Sequence, residues 1–217
     1  MVNYHSLWWK IWLIKVISAV RILMDWKEKS YFLTVILICT LRKGDGLEKA
    51  KLFTKLTLKA REIQRGEKNR GEKLEAFCKL LRDSVYYYSW VGFYAIDEKK
   101  PTELRLVCYE GEPTEHLRIQ LGEGICGMVA MLKKTLIVQD VSKEDNYLSC
   151  SPKVKSEIVI PIFRGNEIIG ELDIDSHIES PFTLDDEKFL TEIAKMVSTF
   201  LWIDTYKGIV YYTLTKF

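Results

Sequence analysis

The residues best equipped for chemistry in this chain are two cysteines and a set of carboxylates at short spacings. Cys150 stands seven residues before Glu157, Cys126 lies inside Gly122-Glu123-Gly124-Ile125-Cys126-Gly127, and Leu172-Asp173-Ile174-Asp175 follows downstream. A thiol that can meet a second thiol and several carboxyls is equipped for redox chemistry on a small polar molecule.

The elements that carry these residues follow from periodicity. Glu167 to Asp175 reads as a strand, so Glu171, Asp173 and Asp175 point one way while Leu172 and Ile174 point the other. Glu157 to Phe163 reads as its hairpin partner. A three-residue loop at Arg164-Gly165-Asn166, with Asn166 left-handed, sets Glu157 opposite Asp173 and gathers the acids on one surface. A two-residue loop sets Glu157 opposite Ile174 and turns its side chain into the core. Read alone, the acids also fit a solvated, exposed sheet face.

Around this hairpin the sequence predicts helices over Leu47–Gln64, Glu72–Val85, Gly124–Lys133 and Leu184–Trp202, the last opened by Thr183, Asp185 and Asp186. Strands are predicted over Tyr86–Ile96, Glu103–Tyr109, Leu117–Leu121 and Thr135–Gln139. Helices, antiparallel-type strands with short connections and a closing helix make an α+β fold on one central antiparallel sheet. The expected organisation is an extension over 1–45, a helix and connector over 46–70, a domain over 71–205 and a tail over 206–217.

With 217 residues, 47% of them hydrophobic, the chain buries a core without needing disulfides. The 32 basic and 30 acidic residues nearly cancel, which argues against nucleic acid as a partner. Five cysteines without a CxxC pair suit neither zinc nor a disulfide framework and indicate a reducing compartment, hence a cytoplasmic location. The apolar stretch Leu7–Met24 is interrupted by Lys10, Lys15 and Arg21, each costing roughly 2.5–3.5 kcal/mol at mid-bilayer, and Tyr31–Leu41 is too short to span. Residues 1–45 therefore read as a cationic surface-seeking helix, a hydrophobic arm, or sequence upstream of a misplaced start. Membrane contact through this extension stays open.

Taken together, Trp90-Val91-Gly92-Phe93-Tyr94, the Gly122–Gly127 turn, Cys150 with Glu157, and Gly170-Glu171-Leu172-Asp173-Ile174-Asp175-Ser176 resemble the GAF-domain free methionine-(R)-sulfoxide reductases over about residues 72–203. The resemblance implies a GAF-like fold and the thiol-dependent reduction of free L-methionine-(R)-S-oxide. Cys150 would be the nucleophile. Glu157, Asp173 and Asp175 would hold the polar end of the substrate and its sulfoxide oxygen, and Trp90 with Tyr94 would wall the pocket around the S-methyl.

Many members carry a further cysteine ten residues before Cys126, where this chain has His116. That departure resembles a two-cysteine subgroup, in which Cys126 resolves the sulfenic acid as a disulfide and a thioredoxin-like dithiol restores it. His116 reads as a loop histidine or as a residue that tunes the thiol. Cys78 and Cys108 read as core residues and Asp140 as a turn or cap residue; the roles of Asp145 and Tyr147 stay open. No metal, flavin or nucleotide cofactor is implied. A homodimer stays open, and the competing reading is a GAF sensor module that binds a small ligand without catalysis.

Overall fold

The computed structural model describes residues 26–148 and 151–201, with side chains from residue 46 onward. The chain forms two compact units, residues 1–51 and 52–217. Helix α1 covers Trp26–Arg65 and runs without a break through Gly44 and Gly46. No helix among the described residues is long and apolar enough to cross a membrane.

Helix α2 covers Arg70–Ser84. It starts two residues earlier than predicted because Asn69 and Glu72 form a reciprocal cap: the Asn69 side chain accepts from the Glu72 amide at 3.1 Å, and Glu72 Oε2 accepts from the Asn69 amide at 2.9 Å. Strands β1 (Trp90–Asp97), β2 (Lys100–Glu110) and β3 (Arg118–Gln120) precede α3 (Gly124–Leu132). Then come β4 (Leu136–Val138), β5 (Ser156–Arg164), β6 (Glu167–Ser176) and α4 (Leu184–Val197). The six strands form one antiparallel sheet in the order β3-β2-β1-β6-β5-β4.

The predicted strand at Tyr86 begins four residues late, at Trp90. Tyr87 and Tyr88 are used instead to hold the start of α4, since both hydroxyls donate to Asp186 Oδ1, at 2.6 and 3.0 Å. The other Asp186 oxygen accepts from the Thr183 amide and hydroxyl. A buried carboxylate thus finds four donors and fixes the helix end.

Two apolar clusters cover the two faces of the sheet. On one face Phe53, Leu56 and Ala60 of α1, Phe77 and Leu81 of α2, and Phe189, Leu190 and Ile193 of α4 pack with Val91, Phe93, Ile158, Ile160, Leu172 and Ile174. On the other, Ile125, Cys126, Val129 and Ala130 of α3 pack with Trp90, Tyr94, Leu104, Leu106 and Val159.

The β5–β6 hairpin differs from both predicted registers. Its turn is the two-residue Gly165-Asn166, with Arg164 opposite Glu167, and the left-handed residue is Gly165 at φ 59°. A bulge then puts Phe163 opposite Ile168 but Ile162 opposite Gly170, so Ile169 is extra on β6. The added residue restores the parity that a two-residue turn alone would have reversed. Glu157 falls opposite Asp175, neither opposite Asp173 nor turned into the core.

Candidate active site

Alternation along β6 sends Glu171, Asp173 and Asp175 to the α3 side of the sheet. Across β1 they stand opposite Tyr94, Gly92 and Trp90; across β5, Asp175 stands opposite Glu157. Four carboxyls and two aromatic residues therefore meet on three central strands. Because α3 covers this face, the acids are not solvated: Glu171, Asp173 and Asp175 are 0–1% exposed and Glu157 is 4% exposed. Both oxygens of Glu171 and Asp175, and Oδ1 of Asp173, have no hydrogen-bond partner among the described residues.

Helix α3 brings the thiol. Cys126 lies in its first turn, buried, with Sγ 3.8 Å from Glu157 Oε1. That sulfur, a Glu157 oxygen and an Asp173 oxygen all lie within 4.8 Å of one another. The electrostatics follow from this crowding. Burial, then repulsion from Asp173, Asp175 and Glu171, pushes the Glu157 carboxyl well above its ordinary range. Burial likewise raises Glu171 and Asp175, and lifts Asp173 to about 7 against the pull of the Cys126 thiol. Cys126 itself is pushed up by burial and by the charges of Asp173, Glu171 and Glu157. A helix N-terminus ordinarily favours a thiolate, but here the neighbouring carboxyls and burial oppose it.

The aromatic wall depends on a missing side chain. A Cβ on Gly92 would come within 2.1 Å of Trp90 Cη2, so only glycine lets the indole lie across β1. Trp90 donates through Nε1 to the Glu112 carbonyl at 3.1 Å and stacks on Tyr109, with ring centroids 5.5 Å apart. The Tyr94 ring lies 6.5 Å from that of Trp90, and its hydroxyl donates to the His116 carbonyl at 2.9 Å. His116 thus serves the site through its backbone, by anchoring Tyr94.

Cys150 lies outside the described residues, as does Ser149. Both flanks of the pair are ordered against the site. Before it, the Asn146 side chain donates to the Gly122 carbonyl at 3.0 Å, and a Cβ on Gly124 would meet Leu148 Cβ at 2.8 Å. After it, Val154 packs in the cluster that holds Cys126, and Lys153 forms an ion pair with Glu112. A small cavity bordered by Trp90, Asp175, Glu112, Ser151 and His177 opens beside these flanks.

The structure therefore gathers Cys126, Trp90, Tyr94, Glu157, Asp173 and Asp175 in one place. Glu171 joins them; alternation marked its direction, but the family resemblance did not select it. Cys78 and Cys108 are on the opposite face, buried, with their sulfurs 3.5 Å apart. Asp140 caps a 3₁₀ turn at Val141–Lys143, its side chain accepting from the Ser142 amide.

The GAF domain family matches residues 72–201. The chain is 40% identical over 132 residues to GAF domain-containing protein A of Dictyostelium discoideum, covering 61% of this chain and 81% of that protein. It is 30% identical over 160 residues to the free methionine-R-sulfoxide reductase of Saccharomyces cerevisiae, covering 71% of this chain and 88% of the yeast protein. Among solved structures, the free methionine-R-sulfoxide reductase of Neisseria meningitidis in complex with its substrate superimposes with a TM-score of 0.65 at 30% identity, covering 70% of this chain and 89% of the other. By fold, by matched length and by the sequence of its relatives, the chain belongs to the GAF-domain family of free methionine-R-sulfoxide reductases.

Proposed function

We propose that this protein reduces free L-methionine-(R)-S-oxide to methionine. The observation that carries the proposal is the buried face where four carboxyls, a thiol and an indole converge, in a chain whose relatives bear that name. Carboxyls without partners among the described residues suit a cationic ammonium, and a flat indole suits an S-methyl group.

In this reading the Cys150 thiolate attacks the sulfoxide sulfur. The S–O bond breaks, oxygen passes to the cysteine as a sulfenic acid, and methionine leaves with its sulfur reduced by two electrons. A carboxyl protonated near neutrality supplies the proton for the departing oxygen; Asp173, lifted to about 7, fits that role. Cys126 then attacks the sulfenic sulfur, releasing water and closing a disulfide, which a thioredoxin-like dithiol reduces. Its raised thiol disfavours it as the thiolate that begins the reaction. His116 stands where many members carry the further cysteine, which favours the two-cysteine subgroup.

The test is consumption of each methionine sulfoxide epimer, free and within a peptide, with dithiothreitol as reductant. Turnover confined to the free R epimer is expected. Absence of turnover with either free epimer, in a protein shown to be folded, removes the proposal.

A further inference from the structure

The carboxyl cluster is anionic in composition, shielded from water, and contains sulfur as well as oxygen. Cys126 Sγ lies 3.8 Å from Glu157 Oε1, and an Asp173 oxygen completes a triangle with no side over 4.8 Å. Independently of that clustering, Asp173 Oδ1 and both Glu171 oxygens have no hydrogen-bond partner among the described residues, although these side chains are 0–1% exposed. Unpartnered buried acceptors of this kind suit a ligand that brings positive charge.

From this geometry we propose that Cys126, Glu157 and Asp173 form a binding site for a thiophilic divalent cation of the zinc class, with Glu171 beside it as a further donor. Zinc takes thiolate sulfur at about 2.3 Å and carboxylate oxygen at about 2.0 Å in a tetrahedron. Neighbouring sulfur and oxygen ligands then stand roughly 3.5 Å apart. The Cys126–Glu157 separation needs a few tenths of an ångström to reach that value, and the Asp173 oxygen, within 4.8 Å of both, must also draw in. Calcium and magnesium demand six or more oxygen ligands or retained waters and gain little from sulfur, so the site discriminates against them. Resting on the reductase reading, the consequence is regulation: the cation occupies the place of the substrate ammonium and withholds the resolving thiol.

The test separates metal binding from catalysis. The reduced full chain, stripped of metal with chelator, is titrated with Cd²⁺ while the ultraviolet sulfur-to-cadmium charge-transfer band is followed, and calorimetry measures Zn²⁺ directly. One saturable equivalent is expected. Cys126→Ser should remove the band and weaken binding at least about a hundredfold, and Glu157→Gln and Asp173→Asn should each weaken it at least about tenfold. Cys150→Ser should keep the band. If Cys126→Ser fails to fold, the two carboxyl variants, which keep the thiol, carry the test. A band that survives Cys126→Ser, one lost in Cys150→Ser, or no saturable binding overturns the site. With binding intact, Zn²⁺ should raise the apparent KM for the sulfoxide. Zn²⁺-independent turnover overturns the regulation, whereas no turnover even in chelator overturns the reductase reading and leaves the metal site standing.

Discussion

Strand β6 presents two environments at alternate residues. Leu172 and Ile174 face α1, α2 and α4 among Val91, Phe93 and Ile160, and each contributes roughly 1.5–3 kcal/mol by leaving water. One residue away on either side, Glu171, Asp173 and Asp175 are buried just as deeply, yet five of their carboxylate oxygens have no partner among the described residues. Such groups cost about 1–3 kcal/mol each when left unsatisfied. The same backbone thus supports one face that stabilises the fold and another that draws on that stability. The proposed function accounts for such acids, as groups that bind the substrate and protonate its oxygen.

The thiols repeat the contrast. Cys78 and Cys108 meet inside the apolar face, where burial raises the Cys78 thiol and packing is their evident role. Cys126 sits among carboxyls, on the face where the flanks of Cys150 also pack.

The largest expected effect concerns the proposed nucleophile. Cys150→Ser should lower turnover at least about a thousandfold while leaving the thermal melt within a degree or two, because it removes only the sulfur proposed to attack. A variant that still reduces sulfoxide near the wild-type rate breaks the assignment of Cys150.

The apolar face should answer in the opposite sense. Leu172→Ala should cost about 2–5 kcal/mol in urea unfolding and leave the KM of the surviving folded protein nearly unchanged. Glu157→Gln and Asp173→Asn should each lower kcat/KM at least about tenfold without loss of stability. Wild-type kinetics in both carboxyl variants would abolish the distinction between the faces.

The smallest effect sharpens the comparison through pH. Asp173 is lifted from about 4 when unfolded to about 7 when folded, so the folded state holds its proton more tightly. Stability from this group is fully present below about pH 4 and is lost as pH rises through 7. Wild-type protein should therefore melt lower at pH 8 than at pH 5, and Asp173→Asn should flatten that slope and gain about 1–2 kcal/mol at pH 8. An unchanged slope would mean that Asp173 is not held protonated in the fold.

Much of this was legible in one dimension. The order of helices and strands follows from period-2 and period-3.6 patterns, and the shared direction of Glu171, Asp173 and Asp175 follows from strand alternation alone. Those are local properties, set by backbone geometry within a few residues. The strand expected from Tyr86 starts only at Trp90, because the hydroxyls of Tyr87 and Tyr88 are claimed by Asp186, about a hundred residues away, a demand that local propensity does not register.

The hairpin separates the two kinds of information most sharply. Its sequence specified that a turn lies near Gly165 and that the acids alternate with apolar residues. It did not specify the extra residue at Ile169, because that isoleucine carries no local bulge signal such as a glycine. That bulge decides that Glu157 meets Asp175 on the reactive face instead of turning into the core. Burial of the acids was equally a tertiary decision: the same alternating strand is solvated on an open sheet, and here α3 closes over it, bringing Cys126 within reach of Glu157. Which residues alternate is written in the chain; whether a carboxyl titrates near 4 or near 7 depends on what covers it.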